Sequence, residues 1–600
     1  MADGFWGERQ QVNRDVSLGH GFRMLEQAGN LWDLRLAGGT ASGEYRGPVF
    51  MDSDVYKWLE AVGYQARDRL RTELREQADQ AIALVQAAQQ ADGYLDSYYQ
   101  VVAPERRWQE LNTGHELYCA GHLAQAAVAW HRYAKDDRLL EVVRRVFDHV
   151  LSIFGPGKRV GVPGHPEVEL ALVDLYRTTG ERRYLELAQF FVDHRGHGLL
   201  GERLGGAAYF QDRVPVRDAS EVEGHAVRAL YLTSGVTDLY LESGEQSLLQ
   251  AMLRQWHDFT ARKMYLTGGA GSRHNGEAFG HAYELPNERA YCETCAAIAS
   301  IMWNWRLLLA TGEARFADLI ERTLYNGFLS GVSLSGDRFF YVNPLLSRGK
   351  PEVIGRGLVE RQPWFLVACC PPNVMRTLAS LGGLIATRAD DSLQVHQYIA
   401  AAVRADDVAF SIETEYPWRG VVELHVDDAP ARAFQLELRK PAWAENVDLR
   451  LNGEAVNAAV ESNGYVSVQR VWQAGDVLQL ELPIAPRLVE STRGCVALER
   501  GPLVYCLEQA DHPDAHVLDL AVNIESEIQD GGSCAELNGA ITLKARGMAA
   551  HYEDWSDSTF RRLSMQQPAS HEVLLTGVPY YAWANREPGA MRVWIPRAPA

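Results

Sequence analysis

The chain has no long basic run, and its 59 Lys and Arg are outnumbered by 78 Asp and Glu, for a formal net charge of -19. Phosphate binding needs concentrated Lys and Arg, so nucleic acid and anionic membrane surfaces are poor candidates as partners. Nowhere does an uninterrupted apolar stretch reach the length that spans a bilayer. The N-terminus, MADGFWGERQQVNRDV, lacks the basic start and apolar stretch of a secretory leader. A cytoplasmic protein is the expectation. Its 8 Cys should then be mostly reduced thiols, open to metal binding or catalysis rather than tied into disulfides. His115-Glu116 is not a zinc-protease motif, because no second His follows at the required spacing.

What is present is enough chain for several cores. At 600 residues, two or three domains are expected. The first two thirds read as helices. Asp68 to Gln90 has apolar residues at helical spacing and almost no β-branched ones. Four later segments share a helix, a tight polar turn and another helix: AWHRYAKDDRLLEVVRRVF, LVDLYRTTGERRYLELAQFF, LYLESGEQSLLQAMLRQW and LLLATGEARFADLIERTLY. In three of them Gly180, Gly244 and Gly312 stand where a helix end needs a left-handed residue. Repeated helix hairpins suggest a toroid or solenoid of stacked pairs. The unequal intervals require long inserted loops, which commonly build a site on a rigid ring.

The texture changes after Asp391. Short alternating runs such as VVELHVD, FQLELRKPAW and DVLQLELP, broken by Gly, Pro, Asn and Asp, are the signature of antiparallel strands in a β-sandwich. Asn452-Gly453 marks a tight turn. From about Val489 the pattern stays strand-rich and is read as a second small β domain. The division is therefore 1–388, 389–490 and 491–600. The two β parts carry no concentrated chemical motif and are assigned a structural or oligomerisation role.

Five Cys fall in the helical part. Cys495, Cys506 and Cys534 are scattered through the β part and read as buried small apolar residues. Tyr291-Cys292-Glu293-Thr294-Cys295 and Cys369-Cys370-Pro371-Pro372-Asn373 each precede an apolar helix. A helix N-terminus stabilises thiolate and carboxylate. If two loops meet over one mouth, Glu293, Cys295, Cys369 and Cys370 make a tetrahedral set, and thiolates favour zinc. Spacing alone also allows buried thiols, a strained disulfide or a C-x-x-C pair, and it does not choose between Cys292 and Cys295. Glu277, in the Gly-rich loop GSRHNGEAFG, could be a general acid or a solvated surface residue, with Glu284 and Glu288 as competitors. His115, His165 and His225 all stand near predicted helix starts, the end where loops gather.

These motifs resemble glycoside hydrolase family 127, the bacterial β-L-arabinofuranosidases. The resemblance covers nearly the whole chain, including FMDSDVYKWLE from Phe50, TGHELY from Thr113, GEAF from Gly276, ELPN from Glu284, YCETCA from Tyr291 and CCPPN from Cys369. The ETC and CCPPN pair, in this order and among helices, is its specific part. It implies an (α/α)6 barrel followed by two β-sandwich-type domains, a multidomain α plus β architecture. It implies zinc held by Glu293, Cys295, Cys369 and Cys370, with Cys369 as nucleophile, Glu277 as general acid/base, and His115, His165 and His225 lining the sugar pocket. It also implies a small arabinoside or oligosaccharide substrate and a homodimer through a β domain. The expected reaction is retaining release of terminal L-arabinose. Its rivals are hydrolysis of another furanoside or acidic sugar, a zinc hydrolase that activates water, a sugar-binding protein with structural zinc, and an epimerase or lyase working through His bases.

Overall fold

The computed structural model describes residues 1–66, 70–349, 360–491, 494–550 and 570–598. The helix expected over 68–90 runs Thr72–Ala88, with residues 67–69 outside the described set. The expected hairpins form. Gly180, Gly244 and Gly312 end their helices at φ 72°, 69° and 68°, a conformation that costs glycine little. The first hairpin has no glycine there, and Lys135 takes the left-handed position at φ 55°.

Among the described residues, six helices form a closed inner ring: Met51–Gln65, Glu116–Ala129, Val168–Thr179, Ala226–Ser243, Thr294–Thr311 and Cys370–Ser380. Each packs on the next, and the last returns to the first. Outer helices lie against them with one apolar stripe turned inward. In Arg138–Ile153 the buried residues are Leu139, Leu140, Val142, Val143, Val146, Phe147 and Val150, the spacing of one helix face. The inner helices are buried nearly all round, as a barrel wall must be. The result is the expected α/α barrel.

Beyond the barrel lie sheets. One orders its strands Ala401–Ala405, Val408–Thr414, Val421–Asp428, Val477–Glu481, Asp448–Leu451 and Glu454–Ala455. A second orders them Tyr465–Val471, Ala433–Arg439, Ser392–Val395 and Ala386–Ala389. Inward alternation sets the register, with Leu478 opposite Leu424 and Leu480 opposite Val422, all buried. Asn452 and Gly453, at φ 51° and 86°, make the tight turn expected of them. Arg439, fully buried, holds the sandwich to the barrel through Glu321 and Asp318.

Among the described residues the last sheet has ten strands, more than a small domain would need. Part of the excess comes from the barrel's own chain. Leu346–Arg348, in the loop between Tyr341 and Cys369, pairs antiparallel with Ala590–Arg592. Arg361, in the same loop, donates to the carbonyls of Tyr581 and Trp583. Of the three Cys read as buried here, only Cys506 is fully so; Cys495 and Cys534 are half-buried. Among the described residues no helix is long and apolar enough to cross a membrane.

Candidate active site

The two cysteine motifs meet at one end of the ring. Glu293 caps the helix Thr294–Thr311, and Cys369 precedes the helix Cys370–Ser380. One ligand atom from each of Glu293, Cys295, Cys369 and Cys370 lies within 4.8 Å of the others. Cys295 Sγ is 3.4 Å from Cys370 Sγ, and Cys369 Sγ is 3.5 Å from Glu293 Oε1 and 3.8 Å from Cys370 Sγ. Cys292 is buried but outside this group, because it precedes the helix whose first turn turns Cys295 inward.

The donor set fits a thiophilic divalent cation. Burial, then neighbouring Cys369 and Glu277, push the Glu293 carboxyl well up. Cys369 is raised, first by its hydrogen bond with Cys295, and Cys370 is raised first by burial. For Cys295 burial acts upward too, but hydrogen bonds from Cys369 and Cys370 outweigh it and bring the thiol down to about 6. Four acidic groups this close cannot all ionise without positive charge among them. Glu293 Oε2, buried and without a hydrogen-bond partner, is a free lone pair of the kind a cation would take. This buried cluster could therefore bind a metal.

The cluster forms one wall of a cavity of about 420 Å³, which also takes in Glu277, His115, His165 and His225. Glu277, the three histidines and the four-residue cluster are thus brought to one site, and Cys292, Glu284 and Glu288 are not. Glu277 sits at the tip of a short turn at φ 53°, after Gly276 at φ 75°. Its Oε2 is 3.0 Å from His225 Nε2. His225 caps its helix by accepting at Nδ1 from the Arg228 amide, which leaves the proton on Nε2, pointed at Glu277. His115 Nδ1 lies 2.6 Å from the Thr113 carbonyl, and His165 Nδ1 lies 2.8 Å from that of Pro166. A carbonyl only accepts, so both rings carry the proton at Nδ1 and have Nε2 as an acceptor. Burial holds both neutral, bringing His115 down to about 3 and His165 well below the ordinary imidazole value.

The competing carboxylates are occupied. Glu284 makes a two-pronged pair with Arg273 at 2.7 and 2.5 Å, which lowers it to about 2. Glu288 is paired with Arg348 at 2.6 Å.

Some lining residues carried no readable spacing. The Tyr341 hydroxyl is 3.3 Å from Cys369 Sγ. Lys57, fully buried, bonds Asp54 at 3.2 Å and lies over the Tyr118 ring, placing a positive charge on the cavity wall. A lysine inside an otherwise buried helix was the one available signal. Behind the cluster Asn373 donates to Cys295 Sγ at 3.0 Å. Its oxygen accepts from Arg376 at 2.7 Å, which fixes the amide's orientation. Arg376 is itself held by Glu60, Gln125 and Tyr231.

A barrel pocket with a loop-borne carboxyl beside a buried thiol cluster is a place for polar chemistry on a small ligand. Residues 1–383 match the model of the β-L-arabinofuranosidase GH127 catalytic domain, 392–484 its middle domain, and 481–596 the family's C-terminal domain. A non-reducing end β-L-arabinofuranosidase from Bifidobacterium longum is 36% identical, over 94% of this chain and 91% of that protein. The crystal structure of a GH127 β-L-arabinofuranosidase from Geobacillus stearothermophilus T6 superposes with a TM-score of 0.94 at 37% identity, covering 100% of this chain and 99% of that one. A second GH127 β-arabinofuranosidase structure gives 0.91 at 35% identity, covering 100% and 96%. The chain belongs to glycoside hydrolase family 127, and it is a glycoside hydrolase.

Proposed function

We propose that the enzyme releases L-arabinose from terminal β-L-arabinofuranosides with retention of configuration, using Cys369 as nucleophile and Glu277 as acid/base. The observation that carries this reading is the shared cavity. Cys369, the only cluster member that is not fully buried, opens onto the same space as Glu277. Glu277, His225 and Glu293 each offer a ligand atom within 4.8 Å of the others. Glu293, Cys295, Cys369 and Cys370 would hold zinc, which supplies the positive charge that keeps thiols deprotonated at neutral pH.

In the first step the Cys369 sulfur attacks the anomeric carbon. The bond to the leaving oxygen breaks, and Glu277 gives that oxygen its proton, so the aglycone departs as an alcohol. In the second step Glu277, now a carboxylate, takes a proton from water. The hydroxide oxygen bonds the anomeric carbon, the carbon–sulfur bond breaks, and the thiolate and the Glu277 acid are restored. His225 orients Glu277, while the Nε2 lone pairs of His115 and His165 accept from furanose hydroxyls. A pocket of this volume in the end of a barrel takes the end of a chain, hence exo cleavage. The eight free thiols suit a reducing, cytoplasmic setting. A homodimer through a β domain remains part of the proposal.

The test is hydrolysis of p-nitrophenyl β-L-arabinofuranoside by zinc-loaded enzyme, with NMR of the first product. Release of β-L-arabinose is expected. An inverted first product would sink the double displacement, and binding without turnover would leave the zinc purely structural.

A further inference from the structure

The three pocket histidines stand in a row. The ring centroids of His115 and His165 are 5.8 Å apart, and those of His165 and His225 are also 5.8 Å apart. Each comes from the start of a different inner helix: His115 caps Glu116–Ala129, His165 precedes Val168–Thr179, and His225 caps Ala226–Ser243. The Nδ1 atoms of His115 and His165 bond carbonyls of their own segments, Thr113 and Pro166. Those bonds set how each ring faces, but not the distance between rings.

One side chain touches all three segments. Arg228, in the first turn of Ala226–Ser243, donates from Nη1 to the Gly164 carbonyl at 2.7 Å and to the Asn112 carbonyl at 3.5 Å. Its own amide donates to His225 Nδ1 at 3.5 Å. The guanidinium lies 5.0 Å from the Tyr209 ring and 5.3 Å from the Phe210 ring, which hold it from the side. Arg228 is buried on the cavity wall, and its bonds go to carbonyls rather than to a carboxylate. A buried guanidinium of this kind gains little from charge pairing, and what its planar fork supplies is direction. The segments it joins are in close approach: a Cβ on Gly164 would lie 2.2 Å from the Asn112 carbonyl oxygen. Burial first, and then the Arg228 charge, keep His115 and His165 unprotonated, so both retain an accepting Nε2.

We propose that Arg228 is a positioning residue that fixes His115 and His165 relative to His225 and its Glu277, and thereby sets the enzyme's demand for the hydroxyls of the sugar ring. The inference rests on the glycosidase reading above. Arg228 acts here through the histidines and touches no reacting atom. Groups from three loops reject a sugar that lacks a hydroxyl as long as the loops keep their distances. A misplaced acceptor loses nothing when its partner is absent.

The test compares kcat/KM for p-nitrophenyl β-L-arabinofuranoside and its 2-, 3- and 5-deoxy analogues. In the wild-type enzyme, deleting a hydroxyl that His115 or His165 accepts from should lower kcat/KM by about 10–100-fold. The largest of these penalties should shrink about 10-fold in Arg228→Met and about 3-fold in Arg228→Lys, which keeps the charge but loses the fork. Partial unfolding lowers the rate on every substrate alike and cancels in the ratio, so a merely structural role leaves the penalties in place. The lysine variant carries the test if the methionine variant does not fold. Penalties as large in the variants as in the wild type would overturn the positioning role alone. No turnover of the parent arabinofuranoside by the wild-type enzyme would overturn the glycosidase reading and this role with it.

Discussion

The barrel interior and the sandwich interior are built on opposite principles. In the sandwich, Val421–Asp428 and Val477–Glu481 alternate, and the residues they bury are Val422, Leu424, Val426, Leu478 and Leu480. In the barrel, the inner helix Met51–Gln65 buries Asp52, Asp54, Lys57 and Glu60 among its apolar residues. Each of these charges has a partner. Glu60 meets Arg376 at 2.9 Å, Lys57 meets Asp54 at 3.2 Å, and Ser97 bonds Asp52 through both its amide and its hydroxyl. Apolar burial would be the cheaper way to fill a ring, because a buried ion pair seldom repays its desolvation. The charged filling lies beneath the thiol cluster, where an oriented field has work to do. These two sandwich strands have no such task and bury only hydrocarbon.

The sharpest way to separate the two regions is to remove the reacting groups. Cys369→Ala should lower the hydrolysis rate by on the order of 10³-fold or more, about 4 kcal/mol in barrier. Glu277→Gln should lower it by about 10²–10⁴-fold. Initial rates, taken beside zinc content and melting temperature, would show whether the fold is spared.

Next in size is a test of the charged filling itself. Arg376→Met leaves Glu60 buried and unpaired and should cost about 3–5 kcal/mol. Leu424→Ala in the sandwich should cost a similar ~2–5 kcal/mol by leaving a cavity. Only the barrel loss should be recovered in part by a second change, Glu60→Gln. Urea unfolding of the singles and the double checks this, and equal behaviour would erase the contrast.

Asn373→Ala should weaken metal binding by about 10–100-fold, as loss of a hydrogen bond behind a ligand does. Chelator competition reads it directly.

The smallest effect crosses both regions. His115 in the barrel and His396 in the sandwich are held neutral by burial, each brought down from 6.5 to about 3. The unfolded chain binds these protons first, so stability is complete above pH 6.5 and falls as the pH drops from there towards 3. His396→Gln should flatten part of that slope in thermal melts without touching turnover.

Much of the fold was legible because its signals are local. The glycines that end the hairpins, the Asn452-Gly453 turn and the alternation of the strands each need only neighbours in sequence. At the site, ETC and CCPPN announced thiols at helix starts, and the structure brings them together. The choice of Cys295 over Cys292 was not legible from spacing, since it depends on which of two residues falls on the inward face of the first helical turn. Tyr341 and Asn373's hold on Cys295 were invisible for a related reason. Tyr341 sits in an irregular loop with no period, and Asn373 acts through an arginine whose partners come from three other helices. Glu284 and Glu288 read like Glu277 in sequence, because their arginine partners Arg273 and Arg348 are not signalled by spacing.

The strand Leu346–Arg348 has one more consequence, and it concerns time. Within the loop between Tyr341 and Cys369, the strand Leu346–Arg348 waits for a partner, Ala590–Arg592, that follows much later in the chain. Domains fold in order as synthesis proceeds. The barrel can therefore close while the ribosome is still working, but this strand has nothing to pair with until the C-terminal sheet has been made. One wall of the site is thus set in place after the barrel that carries it.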